Sequence, residues 1–302
     1  MLVLRLQVGS DLKNLGYLAL SQIYHELDLH TFFYNHSRSF NSEFNTNSIM
    51  KLLVFSRILS PGSKRATYEQ RSRYFEDCDF SLEDIYRCLS KVSTLATGAQ
   101  KHLHKRVSKQ YGRDCQLIYY DVTNYYFEID RQDEMRKKGY SKEHRPNPII
   151  QMGLFIDTFG VPISYRLFPG NTVDCETLIP ILSEMKKQYG IGRAIVVADK
   201  GINSGDNIAF SSIAENGYVF SQSVRGANKE LKDYVLSDEG YREIDDSYKV
   251  KSRIYPMEIN VTNFAGKKVK VPVEAKQIAV YSAKYDAKAK RDWEPLIKKH
   301  TT

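Results

Sequence analysis

The sequence predicts an α/β protein with helices first, a mixed sheet in the middle and a β-rich segment after it. Three features carry this. Apolar residues recur at helical spacing through residues 1 to 113. From about residue 114 the period changes to that of strands. Helices and strands then alternate up to about residue 224.

Taken in order, the first helix runs over residues 15 to 29, with Leu15, Leu18, Ala19, Ile23 and Leu27 on its apolar face. Asn47 or Ser48 caps a second, whose apolar face is Ile49, Leu52, Leu53, Phe55 and Leu59, and Ser60-Pro61-Gly62 stops it. A basic segment follows, from Ser63 to Arg73, with Tyr68 inside it. Ser81 caps a third helix whose first turn is acidic and whose apolar residues are Ile85, Leu89 and Val92. Lys101 to Lys109 forms a further basic helix. His102 and His104 in it are two apart, so they do not share a helix face as metal ligands would.

The strands begin at 115 to 129. A charged connector leads to a hairpin, Pro148 to Phe155 and Val161 to Phe168, turning at Asp157-Thr158-Phe159-Gly160. Thr172 or Asp174 caps a helix through Leu178, Ile181, Leu182 and Met185, which Gly190 ends. Residues 194 to 199 form a strand. Ser204 or Asp206 caps the next helix, and residues 218 to 224 form the last strand of the series. This order of a long strand, a hairpin, then alternating helix and strand is the one expected of an RNase-H-like mixed sheet, with the first strand central and the fourth beside it. Short strands follow at 241–244, 252–259, 268–273 and 278–281, divided by turns near Pro256 and at Ala265-Gly266. A lysine-rich helix interrupted by Pro295 closes the sequence. The resulting domains are 1–113, a helical N-terminal region; 114–239, a partial RNase-H-like core; and 240–302, a C-terminal β-rich insertion with the lysine-rich helix.

Hydrophobic residues make up 42% of the chain, an ordinary globular share. A net charge of +8 favours a polyanionic partner such as DNA or RNA. Cys78, Cys88, Cys115 and Cys175 have no metal-ligand spacing and read as reduced thiols. No apolar run approaches a membrane span and no signal peptide is visible, so the expectation is a cytoplasmic protein with no membrane partner.

Two strands carry the candidate chemistry. Asp121 interrupts the β-branched and aromatic run from Cys115 to Glu128, and Asp199 ends the apolar run from Ala194 to Ala198 before a Gly201 turn. An unpaired carboxylate buried in such a run costs several kcal/mol in rough terms, so each needs a partner. Two readings stand side by side. The pair holds one or two divalent ions for phosphoryl chemistry, or Asp199 caps its turn and Asp121 pairs with a lysine.

Tyr119-Tyr-Asp-Val-Thr123, the hairpin Gly153 to Pro162, Phe168-Pro-Gly-Asn171 with Glu176-Thr177-Leu178, and Val197-Ala-Asp-Lys-Gly201 occur in that order. Together they resemble the insertion-sequence DDE transposases, in particular those with a β-rich insertion before the third acidic residue. The resemblance runs from about 47 to 290. It implies an RNase-H-like catalytic domain, a helical region that helps bind DNA, and Mg²⁺-dependent cleavage and joining of transposon ends, with Mn²⁺ as a substitute ion. Asp121 matches the first catalytic and metal-binding Asp of that family, and Asp199 the second. The resemblance also implies transposon-end and target DNA as partners and a homodimer on paired ends.

The family's third residue is a Glu within a Tyr, Arg, Glu and Lys motif that is absent here, so the sequence resembles a reading frame truncated at the C-terminus, and the resemblance implies a transposase that is catalytically incomplete in this chain. Glu274 and Glu294 are weak substitutes by their settings. Lys64, Arg65, Arg71, Lys142, Arg145, Lys200, Arg225 and Lys229 are candidate DNA contacts, or solvated basic residues. Two other functions remain open: a non-catalytic DNA-binding fragment, and an RNase-H-like nuclease whose third carboxylate is Glu128, Asp157 or Asp174.

Overall fold

A computed structural model describes residues 12–140 and 146–300. The chain divides into two compact units. One takes in the chain up to Cys115 with Ile156–Ser164 and Glu184–Ile191; the other holds Gln116–Phe155, Tyr165–Ser183 and the chain from Gly192 onward.

The first unit is built on helices α1 (Gly16–Glu26), α2 (Leu29–Ser37), α3 (Thr46–Leu59), α4 (Lys64–Glu69), α5 (Leu82–Val92) and α6 (Ala96–Tyr111). The helix expected over 15–29 ends early because Asp28 adopts a left-handed φ of 55°, and α2 starts after it. The buried face of α1 also differs from the expectation. Leu15, Leu18 and Ile23 are exposed, whereas Tyr17 and Tyr24 are buried. Their rings reach Phe55, and their hydroxyls bond Glu76 and Asn47, which lets a tyrosine serve a core position. Asn45, rather than Asn47 or Ser48, caps α3 by accepting from Ser48 N. Ser81 and Asp84 form the capping box that opens α5. Ile49, Leu52, Phe55, Ile85 and Cys88 lie at the centre of the core. His102 Nε2 donates to the Leu27 carbonyl, 2.9 Å away, and the His104 ring packs at a tilt against Tyr189, so both histidines have packing roles.

One charged side chain is placed inside this core. Lys51 is 6% exposed, bonds Glu76 at 2.5 Å, and lies over the rings of Tyr17, Tyr24 and Phe55. Lys51→Met should lower stability by about 2–3 kcal/mol, less than a fully buried pair would lose, because Glu76 keeps 21% of its side chain in water. The double variant Lys51→Met/Glu76→Gln should regain much of that. Burial pushes the Glu76 carboxyl up, but bonds from Lys51 and Tyr17 outweigh it and leave the group below its usual value. A carboxyl lowered on folding adds stability above its unfolded pKa and loses it as pH falls through the folded one. The pair's contribution should therefore fade below about pH 4.5. Urea midpoints of the three proteins at pH 7 and pH 4 check both statements.

The second unit carries the sheets. Strands β1 (Leu117–Tyr126), β2 (Ile149–Ile156) and β3 (Pro162–Pro169) come first, followed by α7 (Asp174–Tyr189), β4 (Ile195–Ala198), α8 (Gly205–Ile213) and β5 (Gly217–Phe220). The sheet order is β3-β2-β1-β4-β5, and β1 and β5 both run parallel to β4. This is the RNase-H-like arrangement that the element order predicts, with β1 central and β4 beside it. Gly190 at φ 65° ends α7, and Ser204 caps α8.

Helix α9 (Lys229–Leu236), capped by Asn228, is an addition to the expected elements. Beyond it lie β6 (Arg242–Asp245), β7 (Tyr248–Thr262) and β8 (Lys268–Ser282), then α10 (Ala283–His300). Pro256 does not divide β7 as expected. It sits opposite Glu274 within one continuous antiparallel ladder from Tyr248↔Ser282 to Thr262↔Lys268. Past Val250, β7 has a strand on only one side, so the N–H that proline lacks is not needed by a second ladder. The backbone of α10 likewise continues past Pro295. Asp206 of α8 accepts from Thr262 N and Oγ1, and Gly205 packs so closely on Asn260 that a Cβ would meet its carbonyl at 2.1 Å. The β-rich insertion is thereby fixed against α8. No described helix is long and apolar enough to cross a membrane, and all four cysteines are free.

Candidate active site

The β1–β4 register ends at Tyr120↔Ala198. Asp121 and Asp199 are each the next residue, so they occupy adjacent positions across that seam. Their environment differs from the buried one expected. Along β1, Ile118, Tyr120 and Val122 are buried while Asp121 alternates onto the exposed side, and Asp199 is exposed after the end of β4. Neither carboxylate carries the full penalty of a buried charge, because period-2 alternation separates them from the apolar positions beside them.

The Asp199 loop is ordered by its own backbone. Gly201 N donates to Asp199 Oδ1 at 2.9 Å, and Ile202 N donates to the Asp199 carbonyl at 3.2 Å. Asn207, fully buried on α8, donates through Nδ2 to the carbonyls of Cys175 (2.9 Å) and Ile202 (2.7 Å). It ties the start of α7 to the loop that follows Asp199.

The α7 side of β1 is equally tight. Tyr120 Oη donates to Thr177 Oγ1 at 2.7 Å, and Thr177 Oγ1 donates to the Asp174 carbonyl at 2.6 Å. Burial pushes the Tyr120 hydroxyl up, and the carboxylates of Asp174 and Asp121 push the same way, so it stays a proton donor. A Cβ on Gly153 would meet Tyr120 Oη at 2.2 Å, and the buried ring has no room to retreat. Gly153→Ala should cost about 2–4 kcal/mol, combining overpacking with a lost hydrogen bond. Gly153→Ala/Tyr120→Phe should cost less than Gly153→Ala alone, since removing the hydroxyl makes space; thermal melts of the variants decide this.

The third-carboxylate candidates separate clearly. Asp157 is 1% exposed and pairs with buried Arg113, so it is structural. Glu128 is exposed just past β1, Glu274 lies in β8 opposite Pro256, and Glu294 is exposed on α10. Asp174 lies near Asp199, beside Gly201. Its Oδ2 and Asp199 Oδ1 are each 3.2 Å from the point a Cβ on Gly201 would occupy. Gln151, 1% exposed on β2, donates through Nε2 to Asp174 Oδ1 at 3.2 Å, and its Oε1 has no hydrogen-bond partner. Among the described residues, no three His, Cys, Asp or Glu side chains gather closely enough to hold a metal by themselves. Mg²⁺ is commonly held by one or two carboxylates with substrate phosphates, and the neighbouring strand-end positions of Asp121 and Asp199 suit such an ion.

The candidate DNA contacts fall in several settings. Lys64 opens α4, Arg65 pairs with Glu69 at 3.0 Å, and Arg71 lies 4.0 Å over Tyr68 while donating to its carbonyl. In the other unit Lys200 is exposed directly after Asp199, Arg225 lies 5.6 Å over Trp293, and Lys229 opens α9. Lys142 and Arg145 lie outside the described residues. Gln151 and Asn207 escaped the sequence reading. Gln151 carried a usable signal, a lone amide in the apolar run of β2, of the same kind that drew attention to Asp121.

A model of the family described as the transposase DDE domain matches residues 122–281, more than half of the chain. The chain belongs to the DDE transposases. No curated protein matches it. Among solved structures this transposase is similar to the Mos1 transposase paired-end complex with left transposon end, at 14% identity and a TM-score of 0.25, over 59% of this chain and 60% of that one. It is similar also to the piggyBac transposase synaptic complex with hairpin DNA, at 11% identity and a TM-score of 0.37, over 80% of this chain and 56% of that one. The chain thus spans less than two thirds of either.

Proposed function

We propose that this chain acts as a DDE transposase on the ends of its own element, with Asp121 and Asp199 as its catalytic carboxylates. The observation that carries the reading is the register that puts both at the end of one parallel seam, Asp199 inside the stretch the family model matches and Asp121 one residue before it. Asp121 and Asp199 would hold Mg²⁺, or Mn²⁺ in its place, and the ion when bound would neutralise charge on the scissile phosphate and acidify the attacking hydroxyl.

The protein's own residues supply orientation. Gly201 N fixes one Asp199 oxygen, and Asn207 fixes the loop beneath it. Lys200, Arg225 and Lys229 take DNA phosphates near the seam; Lys142 and Arg145 extend that contact along the connector. Lys64, Arg65 and Arg71 belong to the helical region 1–113, which helps bind the DNA. Residues 114–239 are the catalytic core and 240–302 the insertion with its terminal helix. The protein works in the cytoplasm as a homodimer on paired transposon ends, and the second DNA is the target.

The test is strand cleavage of a duplex carrying the element's end, with Mg²⁺ or Mn²⁺, beside Asp121→Asn. Cleavage that disappears in the variant is expected. Salt-sensitive DNA binding without cleavage under either ion would overturn catalysis and leave a DNA-binding protein.

A further inference from the structure

The hairpin of β7 and β8 ends in a firmly built turn. Asn263 Oδ1 accepts from Ala265 N at 3.0 Å and from Lys267 N at 2.9 Å. Asn263 N donates to the Lys267 carbonyl at 2.9 Å, and Gly266 supplies a left-handed φ of 72°. The turn so held presents Phe264 fully exposed. One exposed apolar residue is ordinary on a surface, but the setting of this one is not. Lys267 and Lys268 follow it, both exposed. Among the described residues neither has a carboxylate partner, whereas Lys270 pairs with Glu258 at 2.8 Å.

The tip is also fixed in place. Thr262, opposite Lys268 in the ladder, is bound by Asp206 in the first turn of α8, and a Cβ on Gly205 would meet the Asn260 carbonyl at 2.1 Å. Helix α8 begins where the loop after Asp199 ends, so the tip stands at the end of the sheet where Asp121 and Asp199 lie. Burial pushes the Cys175 thiol up, while the Lys268 ammonium pulls it the other way, so the charge of Lys268 is felt at the start of α7.

We propose that this tip is a DNA contact: Lys267 and Lys268 take phosphates of the duplex lying at the Asp121 and Asp199 end of the sheet, and Phe264 reaches into the groove between them. The proposal rests on the DNA reading of the protein and gives the β-rich insertion a part in it. Two kinds of contact are involved. An ammonium on a phosphate releases condensed counterions, so it weakens as salt rises. An apolar ring against sugars and base edges releases none. Because Asp206 ties the tip to α8, these side chains are held in a fixed relation to the Asp199 loop.

The experiment is fluorescence anisotropy of a labelled duplex with the intact chain, over a series of salt concentrations and without divalent ion. Lys267→Gln/Lys268→Gln should weaken binding roughly 10-fold or more near 0.1 M salt and make the slope of log K on log salt shallower by about 2. Phe264→Ala should weaken binding several-fold at every salt concentration and leave the slope unchanged. None of the three side chains is buried, so the variants should keep the fold. If the lysine variant keeps the slope of the unaltered chain, or Phe264→Ala keeps its affinity, while the unaltered chain binds the duplex in a salt-dependent way, the inference is overturned and the DNA reading stands. A Phe264→Ala variant that binds DNA normally but sediments as a smaller species also overturns it, and assigns the ring to a contact between copies. If the unaltered chain binds no duplex, the DNA reading fails and the inference with it.

Discussion

Asp199→Asn will lower transposon-end cleavage by on the order of 10³-fold or more, and Asp121→Asn by a similar factor. Asn keeps the shape of each side chain and one acceptor oxygen, so Gly201 N retains its bond and the fold should be unchanged. Only a charge is lost. That charge matters because the two positions act on one group of phosphate oxygens. Groups that act as a unit are strongly non-additive: once one is gone, the other has little left to do. The double variant should therefore be no more than a few-fold slower than the worse single variant. Multiplying effects, with the double variant lower by the product of the two, would mean that the two residues serve separate steps. Cleavage rates at saturating Mg²⁺, with melting temperatures confirming the fold, distinguish these cases.

The order of the sheet was legible because hydrophobic period, turn residues and strand length all agreed. Each strand from β1 to β5 was placed within a few residues, and the neighbours of β1 are those of the RNase-H-like sheet that the element order suggested; periodicity alone does not give them. What escaped depended on groups distant in sequence. Leu15, Leu18 and Ile23 make a plausible apolar face, yet Tyr17 and Tyr24 are the buried pair because Glu76 and Asn47 satisfy their hydroxyls. Pro256 reads as a strand breaker only if both ladders need its N–H, and here one does not exist. At the candidate site, Asp121 and Asp199 stood out from local pattern, since a charge in or at the end of an apolar run is visible in the sequence, while the catalytic role proposed for them comes from the family resemblance. Their exposure was not, because alternation fixes the face only once it is known which face is covered. The nearness of Asp174 to Asp199 depends on how α7 packs beside the β4 loop, and periodicity says nothing of that.

Asp157→Ala will destabilise the first unit by about 3–5 kcal/mol, the cost of leaving one member of a buried ion pair alone. Asp157 and Arg113 have side chains 2% and 1% exposed, with Nε 3.6 Å from Oδ2. Burial pulls the Arg113 guanidinium down and Asp157 pushes it back up, so the carboxylate offsets part of the burial cost of a guanidinium that stays charged. Arg113 also donates to the Pro162 carbonyl at 3.0 Å, which holds it in place after the carboxylate is removed and prevents an easy escape to water. The same Asp157 accepts from Phe159 N (3.0 Å) and Val161 N (2.9 Å) through Oδ1, so the alanine would also orphan the donors that shape the β2–β3 turn. The sequence explains this residue as a turn former, and on that ground alone the loss should be about 1 kcal/mol. Asp157→Asn separates the two contributions: it keeps an acceptor for the turn and removes the charge. If the pair dominates, Asp157→Asn will lose most of what Asp157→Ala loses, and Arg113→Met/Asp157→Asn will recover part of it. If the turn dominates, Asp157→Asn will be nearly neutral in urea unfolding, and the long-range pair contributes little.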